Sequence, residues 1–255
     1  MKARISALLF SMGALVASGF QTHDPAPEKR VPVLLELFTS EGCSSCPPAD
    51  QLLEALDKEQ PFPQAELVVL SEHVDYWNGP GWHDPYSAHL FSERQIAYGE
   101  QFHIDEVYTP QIVVDGARQA LGGNVAAIRS AVQAAAEMSK VPLTLTAPVR
   151  DGNHLKLHIS SGPLPGTAGK TILYLAIAQE RAESRVSGGE NGGRLLTHVA
   201  VVRSLKPVEK IAAGASCSKD LTITVPQLTA PGLRVVAFLE DEKSRKVLGV
   251  AQARL

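Results

Sequence analysis

Apolar and polar positions change their rhythm near residue 140. Before it, apolar runs alternate with stretches of helical period. Val33 to Phe38 is apolar except for Glu36 and predicts a strand. Asp50 to Leu56 places Leu52, Leu53 and Leu56 on one helical face. Glu66 to Val74 predicts a second strand, and Pro85 to Gln101 a helix carrying Leu90, Phe91, Gln95 and Tyr98. Gln111 to Val114 ends at Asp115-Gly116, a hairpin turn signal, with Arg118 to Leu121 as the returning strand. Asn124 to Met138 is amphipathic through Val125, Ile128, Val132 and Ala135, with Asn124 as its N-cap. A strand–helix–strand start implies parallel pairing with a crossover, and the hairpin adds antiparallel strands.

From Pro142 the period is two. Leu143-Leu145, Leu155-Leu157-Ile159, Ile172 to Ala178, Val199 to Val202, Leu221 to Val225, Leu233 to Leu239 and Val247 to Ala251 predict short strands. Such a series suggests a small β-sandwich or a strongly curved sheet. The expected architecture is a thioredoxin-like α/β domain over residues 31–139, a junction at Ser139 to Val141, and a β-rich domain over 142–255. Gln179 to Thr197 interrupts the strands with a polar, glycine-rich loop. Loops of this length without structure of their own are often functional. It reads either as a surface hairpin or as a lid that brings Glu190 and Asn191 to the cysteines.

Composition narrows the partner classes. The 255 residues carry a net charge of −3, with no basic excess of the kind that binds nucleic acid. Lys2 and Arg4 precede an apolar run, Ile5 to Ala17, that is too short for a comfortable membrane span, and Ala17-Ser18-Gly19 offers small residues to a peptidase. Residues 1–20 therefore read as a Sec-type signal peptide, and 21–30 as a disordered, proline-rich lead-in. Export to the periplasm or beyond follows, with no stable membrane insertion after cleavage. Disulfides persist in that compartment.

The chemistry centres on Cys43-Ser44-Ser45-Cys46, which sits between a predicted strand and a helix whose first turn holds Pro47 and Pro48. Unpaired N–H groups at a helix start favour a thiolate. The pair is also open to reading as a structural staple or as half of a zinc site. The staple is weakened because so short a loop removes little unfolded-state entropy. The zinc site is weakened because no second C-x-x-C or H-x-x-x-H exists. Cys217 carries no motif and reads as structural.

The segments LELFTSEGCSSCPPAD (35–50), HVDYWNGPGWHDP (73–85), ERQIAYG (93–99) and YTPQIVVDG (108–116), with a weaker GGENGGRLLTHVAVVR (188–203), resemble the secreted bacterial thioredoxin-like family grouped as domain of unknown function 1223. The resemblance implies a fold and a thiol–disulfide site, not a pathway; exchange by such a pair needs no organic cofactor, and no metal ligands are assigned. From the wider thioredoxin class it implies that Thr109-Pro110 is a cis bond beside the cysteines, with the Thr109 backbone binding an extended substrate segment. It also implies that Glu36 is a buried acid able to take the proton of Cys46; the other reading pairs Glu36 with a Lys or Arg or leaves it in solvent. One departure is Gly42, where thioredoxins carry a tryptophan. Both tryptophans, Trp77 and Trp82, lie in the 75–84 loop and could line a groove for a partner. Arg94 and Gln95 are expected to tie that loop down. His73 has three open readings: a satisfied core residue, a group tuning the thiolate, or a soft metal ligand with the cysteines.

The expected function is thiol–disulfide exchange with a protein or small thiol substrate, Cys43 attacking and Cys46 resolving. The alternative is a redox-inert module that holds a partner or copper.

Overall fold

The computed structural model describes residues 30–79, 81–225 and 232–255. The expected export signal and nearly all of the lead-in lie outside these residues. Among the described residues no helix is long and apolar enough to cross a membrane.

β1 (Val31–Thr39) is buried on both faces over its last seven residues, which places it inside a sheet rather than at an edge. β2 (Ala65–His73) runs parallel to it, from Val31 opposite Ala65 to Thr39 opposite His73. Between them α1 (Pro47–Glu59) begins with its two prolines, where a missing N–H costs nothing, and ends at Gln60 in the left-handed region. α2 (His89–Phe102) follows β2. β3 (Gln111–Val114) and β4 (Arg118–Leu121) form the hairpin expected from Asp115-Gly116, both turn residues having positive φ. At Gly116 a Cβ would stand 1.9 Å from the Arg245 carbonyl oxygen, so only glycine fits. α3 (Val125–Ala136) is capped by Asn124, whose Oδ1 accepts from the Ala127 N–H at 3.1 Å.

The second half is β5 (Leu143–Leu145), β6 (Val149–Asp151), β7 (His154–Ser161), β8 (Thr171–Arg185), β9 (Leu195–Ile211), β10 (Ser218–Thr224), β11 (Leu233–Asp241) and β12 (Val247–Arg254). Here the structure corrects the expected fold class. No thioredoxin-like α/β domain followed by a separate β-rich domain forms. Instead a mixed eight-stranded sheet runs β12-β11-β8-β9-β2-β1-β3-β4, joining both halves through the parallel contact of Ser71 in β2 with Val201 in β9. The physical reason lies in β2: it needs a partner on the side away from β1, and β9 supplies it. β5, β6, β7 and β10 make a second, smaller sheet. It covers one face of the large one, where Leu155, Leu157 and Ile159 share a core with Leu173, Leu175, Val235, Ala237 and Leu239. The opposite, even-numbered face of β11 joins the main core through Val236 and Phe238. β12, at the sheet's edge, also packs on β1 and β2, so the sheet curls strongly.

Inside that curl lies a buried polar hub. Arg94 of α2 donates through Nε to Glu36 Oε1 of β1 at 2.6 Å, and through Nη2 to Glu240 Oε2 of β11 at 2.7 Å. Its Nε is 3.9 Å from Glu72 Oε2 of β2. Tyr98 donates to the other Glu36 oxygen at 2.7 Å. The Arg94 guanidinium lies over the rings of Tyr98, Tyr174 and Phe238. Both Glu72 oxygens lack a hydrogen-bond partner. Burial, and after it the charge of Glu36, raise the Glu72 pKa well above its ordinary 4.5.

Two outcomes follow. Arg94→Ala strands buried carboxylates and is expected to cost about 3–5 kcal/mol, read by denaturant unfolding. Glu72 binds a proton in the folded state that it releases on unfolding, so its burial costs stability as pH rises above about 4.5. Glu72→Gln removes that cost. Its melting temperature near pH 7 should exceed the parent's and vary less with pH; a lower value would contradict the protonated assignment.

Candidate functional site

Cys43 and Cys46 form a disulfide, with Cα atoms 5.4 Å apart. Cys46 is the N-cap of α1, and the N–H groups of Ala49 and Asp50 donate to its carbonyl. Ser45 Oγ is 3.3 Å from Cys43 Sγ. Ser44 and Ser45 are exposed, whereas both cysteines are 0 % exposed.

Two loops close over the pair. The first is the 75–84 segment after β2. At Gly42 a Cβ would stand 2.9 Å from the Trp77 carbonyl oxygen, which explains why no larger residue precedes Cys43. Trp77 Nε1 donates to Thr109 Oγ1 at 2.7 Å, and the Thr109–Pro110 bond is cis. Pro110 is buried against the same corner: a Cβ on Gly122 would stand 2.7 Å from Ala49 Cβ and 2.8 Å from Pro110 Cβ. Trp77, Thr109 and Pro110 are thus brought to the start of α1. Trp82 is half-buried behind them, its Nε1 donating to Glu41 Oε2 at 3.0 Å. Gln95 ties the loop down by accepting from the Tyr76 hydroxyl, as expected; Arg94 instead turns inward to the hub.

The second loop is the tip of the β8–β9 hairpin. The strands run through most of the segment read as a loop, leaving residues 186–194 at the turn. Its glycines permit close backbone approach: a Cβ on Gly188 would stand 1.9 Å from the Gly81 carbonyl oxygen. Asn191, fully buried, donates through Nδ2 to the carbonyls of Glu41 and Cys43, each at 2.9 Å. Glu190 Oε2 accepts from the Ser44 N–H at 3.0 Å.

Glu36 lies elsewhere. Side chains alternate across a strand; Thr39 faces Asp50 of α1, so Glu36 faces the opposite side, where Arg94 and Tyr98 occupy its oxygens. Its observed pairing is the cationic one.

Beneath the cysteines sits a cluster that the sequence reading did not single out as a set. His73 Nδ1 is 2.7 Å from Asp84 Oδ2, which also accepts from the Glu41 N–H at 2.8 Å. Burial alone would raise the Asp84 carboxyl, but His73 and the backbone donors bring it down to about 2. His198 of β9 places Nε2 3.2 Å from Glu41 Oε1 and Nδ1 3.6 Å from Asp50 Oδ1, an ion-pair contact just beyond hydrogen-bond range. Burial works against its charged form, yet Asp50 and Glu41 outweigh it, and its pKa is pushed up to about 10. The available signals were weak: Asp50 stands four residues after Cys46, and His198 is a lone polar residue within an apolar strand. Among the described residues no group of three or more His, Cys, Asp or Glu side chains is arranged to hold a metal. Cys217 is half-buried beside the second core.

The His198 imidazolium stabilises the fold in full below about pH 6.5, its ordinary value, and the contribution declines as pH rises through about 10. His198→Gln should therefore narrow its stability gap to the parent across that window. Parallel pH–stability curves for the two proteins would contradict the assignment.

A family described as protein of unknown function (DUF1223) matches residues 34–240. No curated protein matches the chain. A crystal structure of an Agrobacterium tumefaciens protein solved by structural genomics is 24% identical, with a TM-score of 0.67 over 89% of this chain and 95% of its own. That likeness supports the fold alone. An alkylpurine DNA glycosylase of Pseudomonas fluorescens, solved with DNA, is 16% identical over 48% of this chain and 32% of its own. Its TM-score of 0.25 carries no argument.

Proposed function

We propose that this protein, which belongs to the DUF1223 family, exchanges thiols and disulfides through Cys43 and Cys46 in an exported setting. The observation that supports this reading is a disulfide at a helix start, with Pro110 packed toward Ala49 of the same helix, held under a cover that a distant hairpin supplies. A staple needs no such cover of polar contacts from a distant hairpin.

A substrate thiolate attacks Cys43 Sγ, the Cys43–Cys46 bond breaks, and its electron pair goes to Cys46 Sγ. A second substrate thiolate attacks the mixed disulfide and releases Cys43. The substrate gains one disulfide and the pair takes up two electrons. In reverse, the Cys43 thiolate opens a substrate disulfide and Cys46 resolves the adduct. Ser44 and Ser45, exposed between the cysteines, and the half-exposed Trp77 beside Thr109 form the face offered to the substrate.

Because both sulfurs are sealed, exchange requires residues 186–194 to lift. Asn191→Ala leaves the buried Glu41 carbonyl without a donor and the Cys43 carbonyl with only the Cys46 N–H. An unmet buried polar group costs about 1–3 kcal/mol, so closure should weaken by about tenfold or more. Reduction of the disulfide by dithiothreitol is expected to accelerate accordingly, and an unchanged rate would show that the hairpin tip does not gate access. Cys46→Ser should accumulate mixed disulfides on Cys43 when mixed with a disulfide substrate. Recovery of none, from protein whose Cys43 alkylates readily, would overturn the exchange reading.

A further inference from the structure

The exchange reaction needs a proton source and sink for Cys46, and Glu36, held by Arg94 and Tyr98 across the sheet, is not placed to be one. The side of the sheet that carries α1 offers another. Asp50 lies four residues after Cys46, and Cys46 already has helical φ and ψ. Residues four apart share a helical face, with Cβ atoms about 5–6 Å apart. Asp50 is 5 % exposed. Its Oδ2 accepts from Thr39 Oγ1 at 3.3 Å, and its Oδ1 has no hydrogen-bond partner. Facing that oxygen at 3.6 Å is His198 Nδ1, also without a partner. Buried polar atoms left unmatched are rare and call for a reason. Here two such atoms, an acceptor and a potential donor, face each other one turn below the cysteine that must gain and lose a proton.

We infer that Asp50 and His198 form the proton-handling pair for Cys46, His198 acting through Asp50. This rests on the exchange reading above. When a thiolate attacks Cys43 Sγ and the disulfide opens, the electron pair arrives on Cys46 Sγ. The His198 Nδ1 proton passes to Asp50 Oδ1 and on to that sulfur, leaving neutral imidazole. In resolution the path reverses: the Cys46 proton moves to Asp50 and then His198 as Cys46 Sγ bonds to Cys43 Sγ and the substrate thiolate departs.

The charged and titratable groups around His198 come from several elements. They are Asp50 on α1, Glu41 after β1, His73 on β2 with its ring 4.6 Å away edge-on, and Tyr86 at 5.9 Å from the 75–88 segment. Asp84 reaches His198 only through His73, and Arg203 stacks on Tyr86. The carboxylates on Nε2 and opposite Nδ1 hold the imidazole protonated while the disulfide is intact. That is the state required of a donor waiting for the bond to open.

The test uses the full chain with Cys217→Ser, which removes a thiol outside the site, and Cys43→Ser, which leaves Cys46 as the sole thiol. Thiolate absorbance then titrates Cys46 directly. Asp50→Asn removes a negative neighbour and should lower the Cys46 midpoint by about one pH unit, whereas His198→Gln removes a positive one and should raise it by a similar amount. Opposite shifts are the expected result, because both groups then act on Cys46 through their charges, whereas disrupted packing moves both variants the same way or neither. Parallel shifts, or none, overturn the assignment. If His198→Gln does not fold, Asp50→Asn, which leaves the volume of the side chain unchanged, decides: a lowered midpoint supports the pair and an unmoved one overturns it. The parent protein is run beside these in an insulin-reduction assay. Turnover there with unmoved Cys46 midpoints sinks this pair alone, whereas no exchange at all by the parent removes the reading on which it rests.

Discussion

A single buried guanidinium ties strands from the two halves of this chain to one point. Arg94 reaches from α2 to Glu36 on β1, to Glu72 on β2 and to Glu240 on β11, strands drawn from opposite ends of the sequence. Two buried charges that are hydrogen-bonded and stacked tolerate the loss of water; one left alone does not. The hub therefore works as a register pin. If β11 slid by one residue, Glu240 would swing to the other face, into the apolar layer shared with β5 and β7, and Arg94 would lose a partner. The curl of the sheet, which brings β12 against β1 and β2, is the geometry that lets one side chain serve all three strands.

That curl also positions the cover over the disulfide. β8 and β9 are 15 and 17 residues long, far longer than the contact of β9 with β2 needs, and their excess length carries the hairpin tip past the sheet to the cysteines. The glycines at the tip allow the backbone of residue 188 to lie on that of residue 81. Asn191 then does with one amide what a strand does with a ladder: it satisfies two carbonyls of the turn before α1. A cover held by a few polar contacts, with Val186 as its one buried apolar side chain, is drawn from the low-stability end of a fold's local opening energies.

Local elements were legible in the sequence because their signals are local. Pro47 and Pro48 marked a helix start, Asp115-Gly116 a hairpin, Asn124 a cap, and alternation marked the strands from Leu143 to Ala251. What alternation states is that a strand has an inner face; it does not state which strand lies beside it. The pairing of Ser71 with Val201 spans a gap that no turn chemistry reports, so β8, β9, β11 and β12 of the expected separate β-rich domain became part of the large sheet. Glu36 shows the same limit on a smaller scale. Its place as the one carboxylate in an apolar run was readable, but whether an odd or an even position of β1 faced α1 was not, and that parity puts Arg94 rather than the cysteines on its side. Asn191 was legible only as one of two readings of its loop, and Glu41 and His198 not as site residues, since each draws its role from a neighbour far along the chain.

The parity of β1 divides the buried charge of the molecule into two sets with different chemistry. On the α2 face, Glu36, Glu72 and Glu240 surround an arginine. On the α1 face, Glu41 and Asp50 flank a histidine, and Asp84 holds the histidine beside it. Both faces bury more carboxylate than cation. An arginine in that position can only hold the fold, because it keeps its proton at any pH a protein survives. An imidazolium held by the same kind of carboxylate set balances charge just as well, yet its proton can leave when a new negative charge forms within reach. Opening the Cys43–Cys46 bond creates such a charge one helical turn above Asp50. The titratable cation stands on the face of the disulfide, where the proposed exchange would create charge, and the fixed one on the opposite face.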